Sequence, residues 1–469
     1  MLVTAGRMPY APTTMPAHAA TAPVEATLAS ANSALAQALP ALAPAVAGFA
    51  LAAVLTFALS LLIARLCVRW GLLDRPAARR IHKQPVPRLG GIAIFAAVVA
   101  VAALLVRPAN AYEAHVYGGF FVAGALIVAV MAVDDVRGLP PLPRLGVQTL
   151  AALIAMFPLA HGTLIEVIHN PLVSASGGHI FLPLWIAVPF TWFWIVGLMN
   201  TINWVDGVDG LAGGVVGITA LVMGAISWLL GQHSAALLCA IVAGATLGFL
   251  PLNWHPARMF MGDCGAMFLG LALAVLANVG GARLAMMLML LGLPILDTAR
   301  VIVRRLRQGR SPLRFDRSHL HYRLMAGGLG QRQIALIFYA ITGVFGAVTI
   351  LAAYLETRLG FLRVRVAGVP LGVSELPTLI GLAAVALVSV GIWRLAAARR
   401  QRTGVPPGAS FVSLPSPAQS PPSARLPDTA PQRPSRRGLG RRPYPRPRPR
   451  FTTTSSSPSP STSGTHCQP

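Results

Sequence analysis

The sequence predicts an all-α protein, a polytopic integral membrane bundle of about eleven transmembrane helices. Three observations predict it. Hydrophobic residues make up 55% of the 469 positions and charged residues only 11%. A soluble domain carries about 25% charged residues, so lipid must solvate most of this surface. Apolar stretches of about 16 to 23 residues alternate with short polar breaks from Val46 onward. Each is long enough to cross a bilayer core, and only helices satisfy the backbone over such runs. Basic residues also concentrate in alternate breaks, as loops on one membrane side do.

Along the chain, residues 1–44 are rich in Ala, Pro and Thr. They lack the basic start and compact apolar stretch of a signal peptide and are expected to be disordered or weakly helical. The membrane domain is expected over 45–398. Its spans lie near 46–66, 91–106, 118–133, 146–160, 183–199, 211–230, 235–252, 265–280, 283–303, 333–354 and 376–396. Residues 399–469 follow, with runs such as PYPRPRPR and SSSPSPSTSG that cannot bury a core, so a disordered cytoplasmic tail is expected. Twelve Arg lie in that tail against Asp428 alone. The net charge of +24 is therefore read as tail and topology rather than as a nucleic-acid signal. Arg436, Arg437, Arg441 and Arg442 suit anionic lipid head groups, and a solvated linker is the plain alternative. No pair among the four Cys has metal-ligand spacing, and Cys67 and Cys239 sit in apolar runs as core thiols.

With eleven spans, the loops at 67–90, 134–145, 200–210, 253–264 and 304–332 and the tail share one side. They hold most of the Arg and Lys83, which makes that side cytoplasmic. Arg358, Arg363 and Arg365, in an opposite loop, break the pattern.

The same loops hold every Asp of the membrane part except Asp297. Carboxylates beside apolar runs are costly and usually functional. VDDVRGLPPLPR carries Asp134 and Asp135, whose mutual repulsion calls for a cation or a raised pKa, unless they are a water-facing helix-end pair. MNTINWVDGVDGL spaces Asn200, Asn203, Asp206 and Asp209 every three residues, along one helix face, with Gly207 and Gly210 allowing close approach of a ligand. NWHPARMFMGDCGAMFLG begins at Asn253 and places Asp263 at a helix start, as a ligand for a hard divalent cation or as an N-cap. Phe260 in the same segment can stack on a uracil or simply pack. RRLRQGRSPLRFDRSHLHYRL brings Arg304, Arg305, Arg307, Arg310 and Arg314 before His319 and His321. Topology alone explains an Arg run, and surface imidazoles explain the His pair. Beside carboxylates and a cation, both also suit a substrate bearing several phosphate charges. Together these groups are the equipment of phosphoryl transfer.

At HKQPVPRLGGIAIF (82–95), DD (134–135), NTINWVDGVDGL (200–211), PARMFMGDCGA (256–266), LPILDTARVIVRR (293–305) and DRSHLHYRL (316–324), the chain resembles the polyprenyl-phosphate N-acetylhexosamine-1-phosphate transferases. The motifs occur in the family's order and the resemblance covers roughly 45–396. It implies a multi-pass enzyme of the cytoplasmic membrane whose active site faces the cytoplasm. That enzyme moves a sugar-1-phosphate, GlcNAc-1-phosphate first, from a UDP-sugar to polyprenyl phosphate and releases UMP. It implies Mg²⁺, with Mn²⁺ as a substitute. Asp263, with Asp206, looks like the metal site, and Asp134 or Asp135 like the residue that orients or deprotonates the lipid phosphate. Asn203, Asp206 and Asp209 look like nucleotide-side and catalytic contacts, His319 and His321 like diphosphate contacts, and Arg88 like part of the cytoplasmic rim. Asn200, Asn253, Phe260, Arg304 and Arg305 are further substrate-binding expectations.

PRLGG and DRSHLH resemble the GlcNAc-1-phosphate branch more than the branch that takes UDP-MurNAc-pentapeptide. Tyr322 stands where the GlcNAc-1-phosphate branch commonly has another His, and Ala266 where a Ser follows GDxG. Asp297 fits the family pattern, and pairing with Arg300 within its helix is its alternative role. A multispan transporter would place its polar residues near the midplane of broken helices. An inactive scaffold would not need Asp134, Asp135, Asp206, Asp209 and Asp263 together. A bundle of this kind is also compatible with an oligomer.

Overall fold

The computed structural model describes residues 22–74, 84–157, 163–169, 179–279, 284–311, 316, 318–359, 363–366, 369–372 and 375–402. The tail expected beyond Arg402 and the first 21 residues lie outside them, as do Arg314 and Lys83.

Helix α1 (Ala22–Trp70) enters the bundle and leads through the two-residue strands β1 (Leu73–Asp74) and β2 (Val86–Pro87), an antiparallel pair, to α2 (Gly90–Leu105). α3 (Ala111–Arg137) starts at a reciprocal cap. Asn110 Oδ1 accepts the Glu113 N–H at 2.9 Å, and Glu113 Oε2 accepts the Ala109 N–H at 2.9 Å. It stops at Gly138, whose φ of 73° no L side chain favours, and Pro140–Pro141 then begins α4 (Pro141–Met156). A short hairpin, β3 (Val167–His169) with β4 (His179–Phe181), precedes α5 (Leu184–Val205), α6 (Leu211–Leu229), α7 (His233–Asn253) and α8 (Gly262–Val279). α9 (Leu284–Leu290), α10 (Gly292–Arg307) and the short α11 (Leu320–Ala326) follow. α12 (Gln331–Leu359), a hairpin of β5 (Arg363–Val366) with β6 (Val369–Gly372), and α13 (Glu375–Arg402) complete the described chain.

Every predicted span coincides with helix, but not every helix is a plain span. Among the described residues, eight helices have the length and hydropathy to cross a bilayer. α2 and α4, of 16 residues each, reach only about 24 Å. The span predicted over 283–303 is broken: α9 and α10 meet at 86°. Gly292 and Pro294 sit at the break, and the proline ring has no N–H to give and collides with the carbonyl four residues back. The bend turns α10 and its Asp297 toward the end of the bundle.

α8 is the central helix, with nearly every residue buried, packed against α3, α5 and α2. Phe268 at its middle meets Phe95 edge-on at 5.0 Å and stacks with Phe120 at 5.8 Å. Each such pair contributes about 0.5–1.5 kcal/mol beyond its buried area. α7 accepts α1 through two glycines four residues apart. A Cβ on Gly244 would lie 2.1 Å from Phe49 O, and one on Gly248 2.3 Å from Ala53 O. In lipid, where burial of apolar surface drives little helix association, such backbone-level fit supplies the packing.

Candidate active site

The five loops that share one predicted side meet at one end of the bundle. Their framework is the join between the Arg88 loop and the start of α8. Pro87 O accepts the Phe260 N–H at 2.8 Å, while Phe260 O and Met261 O accept Gly90 N–H and Gly91 N–H at 3.0 and 2.8 Å. The helices can approach this closely because Gly91 faces Gly265: a Cβ on Gly91 would lie 2.1 Å from Gly265 N. Gly262 turns the chain into α8 at φ +72°, and a side chain there would strike Arg88 O and the Asp135 carboxylate. The first N–H groups of α8 therefore point at α3. Asp135 accepts both, from Asp263 at 2.9 Å and from Cys264 at 3.1 Å. A carboxylate at a helix N-terminus is favoured by the orphan donors and the dipole.

Two guanidinium groups knit the carboxylates together. Arg88 Nε lies 3.0 Å from Asp135 Oδ1, and its Nη2 lies 3.0 Å from Asp263 Oδ1. Arg144 Nε lies 3.1 Å from Asp134 Oδ2, and its Nη2 pairs with Asp263 Oδ2. Asp134 also accepts the Leu139 N–H. The side chains of Asp134 and Asp135 are 4% and 0% exposed, which rules out a pair facing water. Burial works against the charge of Arg88, but Asp135, Asp263 and Asp206 hold its pKa above the ordinary value.

Beside this network lies a cavity of about 310 Å³. Arg88, Asn200, Asn203, Asp206, Asp263 and His319 line it, together with Arg144, Gln148, Trp204, Asp316 and Tyr322. The three-residue spacing places Asn200, Asn203 and Asp206 on its wall as expected. Asn200 Nδ2 donates to Gln148 Oε1 and to Val196 O, both at 2.8 Å. Asp206 caps the end of α5 through its N–H to Ile202 O, and its side chain has no hydrogen bond or ion pair among the described residues. Burial first, then the neighbouring Asp263 carboxylate, raises its pKa well above the usual carboxylate range.

Not every predicted site residue reaches the cavity. The helical face ends at Gly207, and Asp209 turns away, accepting His255 Nδ1–H at 2.7 Å and Ala257 N–H at 3.1 Å. Asn253 is buried. Its Oδ1 accepts Gly210 N–H and its Nδ2 donates to Met259 O, each at 3.0 Å, so it braces two loops. Phe260 joins the loops through its backbone, and its ring is not in the cavity wall. Arg304 and Arg305 are engaged by Asp316, at 2.8 and 2.7 Å. These bonds, with those from Ser318, hold the Asp316 carboxyl well below its usual range against the effect of burial. The two histidines separate. His319 lines the cavity beside Trp204, whose ring centroid is 5.5 Å away. His321 is 2% exposed, and its Nε2 has no hydrogen-bond partner among the described residues. Burial, and secondarily the nearby His319, pushes its pKa down to about 3, so at neutral pH it carries no charge. Asp297 pairs with His319 rather than with Arg300, whose guanidinium instead lies 5.3 Å over the Trp393 ring.

Arg144, Gln148, Trp204 and Asp316 were not singled out in the sequence. Two left a signal. Arg144 closes the Pro-rich segment that opens with the aspartate pair, and Gln148 is an amide inside an apolar run.

The model of glycosyl transferase family 4 matches residues 117–281, the segment that carries both aspartate pairs and Asp263. The chain is 32% identical over 306 residues to a probable undecaprenyl-phosphate N-acetylglucosaminyl 1-phosphate transferase of Bacillus subtilis, covering 63% of this chain and 82% of that protein. The chain belongs to this transferase family. Like other members it is a multi-pass membrane enzyme. It is also 34% identical over 329 residues to a decaprenyl-phosphate N-acetylglucosaminephosphotransferase of Mycolicibacterium smegmatis, covering 64% and 80%. An undecaprenyl-phosphate alpha-N-acetylglucosaminyl 1-phosphate transferase of Salmonella typhi is 28% identical over 308 residues, covering 62% and 80%.

The donor set of this family member fits a hard divalent cation. Asp134, Asp135, Asp206 and Asp263 bring four carboxylates against the two guanidinium groups of Arg88 and Arg144, a surplus of negative charge met only by oxygen donors. Among the described residues no three His, Cys, Asp or Glu side chains already stand in ligand geometry. Mg²⁺ takes one or two carboxylates and completes its shell with water and substrate phosphates, and Asp206 and Asp263 line the cavity together.

Proposed function

We propose that this chain transfers GlcNAc-1-phosphate from UDP-GlcNAc to a polyprenyl phosphate and releases UMP, at the cytoplasmic face of the cell membrane. The observation that carries this reading is the convergence of Asp206 and Asp263 with Arg88 and Arg144 in one cavity at the end of an apolar bundle. There a soluble nucleotide sugar and a lipid phosphate can both arrive. The relatives' names supply the acceptor and sugar classes, undecaprenyl or decaprenyl phosphate and N-acetylglucosamine. The basic loops on the same face support a cytoplasmic orientation.

A phosphate oxygen of the lipid attacks the β-phosphorus of the donor. The bond from that phosphorus to the bridging oxygen breaks, and its electron pair leaves with UMP. Asp263 and Asp206 would hold Mg²⁺, which neutralises diphosphate charge when bound. Arg88 and Arg144 present N–H donors to the same charge, and their aim is set by Asp135 and Asp134. A phosphate monoester is largely ionised at neutral pH, so the attacking oxygen needs no strong base. Asp134 and Asp135 accordingly serve as positioning residues. Asn200 and Asn203 offer amide groups on the wall for the nucleotide.

The test is UMP release by purified protein with Mg²⁺, polyprenyl phosphate and a panel of UDP-sugars, against an EDTA control. Release that needs both lipid phosphate and metal, and is fastest with UDP-GlcNAc, is expected. No release with any sugar from folded protein would sink the reading.

A further inference from the structure

His319 is held from behind. Its Nδ1 lies 2.9 Å from Asp297 Oδ2, and the same oxygen accepts the Leu320 N–H at 2.9 Å. Asp297 is 5% exposed and His319 6%, so this pairing is sheltered from water. The second oxygen, Asp297 Oδ1, is buried with no hydrogen-bond partner among the described residues. One carboxylate oxygen therefore does two jobs. It receives the first backbone donor of α11, and it engages one ring nitrogen of the residue just before that helix. The ring's other faces are also set: Trp204 lies at 5.5 Å, and the neutral His321 ring stacks parallel at 5.8 Å and 4°. With Nδ1 committed to a carboxylate, which only accepts, the Nδ1 proton is fixed and Nε2 is the nitrogen left for the cavity.

We propose that Asp297 is a positioning residue that fixes the orientation of His319 and balances its protonated ring, so that Nε2–H donates to a phosphate oxygen of the donor diphosphate. The proposal rests on the transferase reading above. A phosphate oxygen accepts, so both ring nitrogens donate in that contact, and the Asp297 carboxylate balances the imidazolium charge. His319 thus touches substrate, and Asp297 acts through it. The neighbouring His321 takes no part, although the sequence treats the two as equals.

The geometry allows charge to be separated from shape. In Asp297→Asn the amide oxygen can occupy the shared position and keep both hydrogen bonds, leaving the NH₂ where Oδ1 had no partner. The experiment measures kcat and KM for UDP-GlcNAc, with the thermal unfolding midpoint, in wild type, Asp297→Asn, His319→Gln and the double variant. Asp297→Asn is expected to lose about 10–100-fold in kcat/KM with little change in midpoint, in line with the contribution of charge-assisted and positioned groups. The double variant is expected to be no worse than His319→Gln alone. Independent losses that multiply in the double variant, or full activity in Asp297→Asn, would overturn the proposal.

A second measurement needs no Asp297 variant. In protein labelled with ¹⁵N-histidine, the His319 signals are those that vanish in His319→Gln. Their shifts are expected to show the proton on Nδ1 in the neutral ring, and a proton on Nε2 instead would overturn the pairing. If wild type released no UMP, the transferase reading would fail, while the ¹⁵N result would still judge the dyad.

Discussion

Asp135 on α3 accepts the backbone N–H of Asp263 on α8 at 2.9 Å, so one aspartate of the site holds the helix end that presents the other. Asp134, Asp135 and Asp263 crowd one corner of the molecule without unfolding it because their charges are divided among Arg88, Arg144 and the start of α8.

Asp135→Asn tests that arrangement. The amide would bring an N–H toward backbone donors or toward Arg88 and leave at least one of them unpaired in a buried place. The expected cost is about 3 kcal/mol, typical of breaking one side of a buried pair. Thermal unfolding in detergent would measure it, and UMP release should fall with it. An unchanged midpoint would mean that Asp135 does not brace α8.

Asp263→Asn should behave differently. The amide is a poor ligand for Mg²⁺. Turnover is expected to fall by about 10²-fold or more, while the protein still inserts and folds. Mn²⁺ binding followed by electron paramagnetic resonance should weaken in parallel. Robust residual turnover would move the metal assignment to Asp206 alone.

His321 predicts a pH dependence of stability. Its folded pKa is about 3, below the unfolded value of about 6.5, so in that window the unfolded chain binds the proton and the folded protein does not. Its contribution is complete above pH 6.5 and is lost progressively as pH falls toward 3. At pH 5 the loss is about 2 kcal/mol. Unfolding midpoints of wild type and His321→Gln between pH 7.5 and 5 would check it. The variant should lack this part of the acid-side decline, and parallel curves would contradict the assignment.

Gly91→Ala should fail to accumulate in the membrane, because the added methyl meets backbone atoms of Gly265 and Cys264 that cannot rotate away. Gly118→Ala, on a helix face with nothing within 4 Å, is the matched control and should leave expression and unfolding unchanged.

The hydropathy pattern by itself determined the all-α membrane architecture and the position of its long apolar helices, because crossing lipid demands long apolar runs. Charge placement likewise determined which loops share a face, and the chemistry-bearing segments are short enough to read directly. What only the tertiary structure decided is which member of each pair meets the cavity. Asp206 and Asp209 sit three residues apart, yet α5 ends at Val205 with Asp206 as its cap, and the turn that follows sends Asp209 to His255. His319 and His321 are separated by one residue, yet Asp297, arriving from a helix bent by 86°, engages only the first. Arg144 became visible as a partner of Asp263 only when α4 folded back beside α8. The periodicity of one segment places a side chain on a face. The direction in which that face looks depends on turns, breaks and partners contributed by other segments, 22 residues away for Asp297 and His319 and 119 for Arg144 and Asp263.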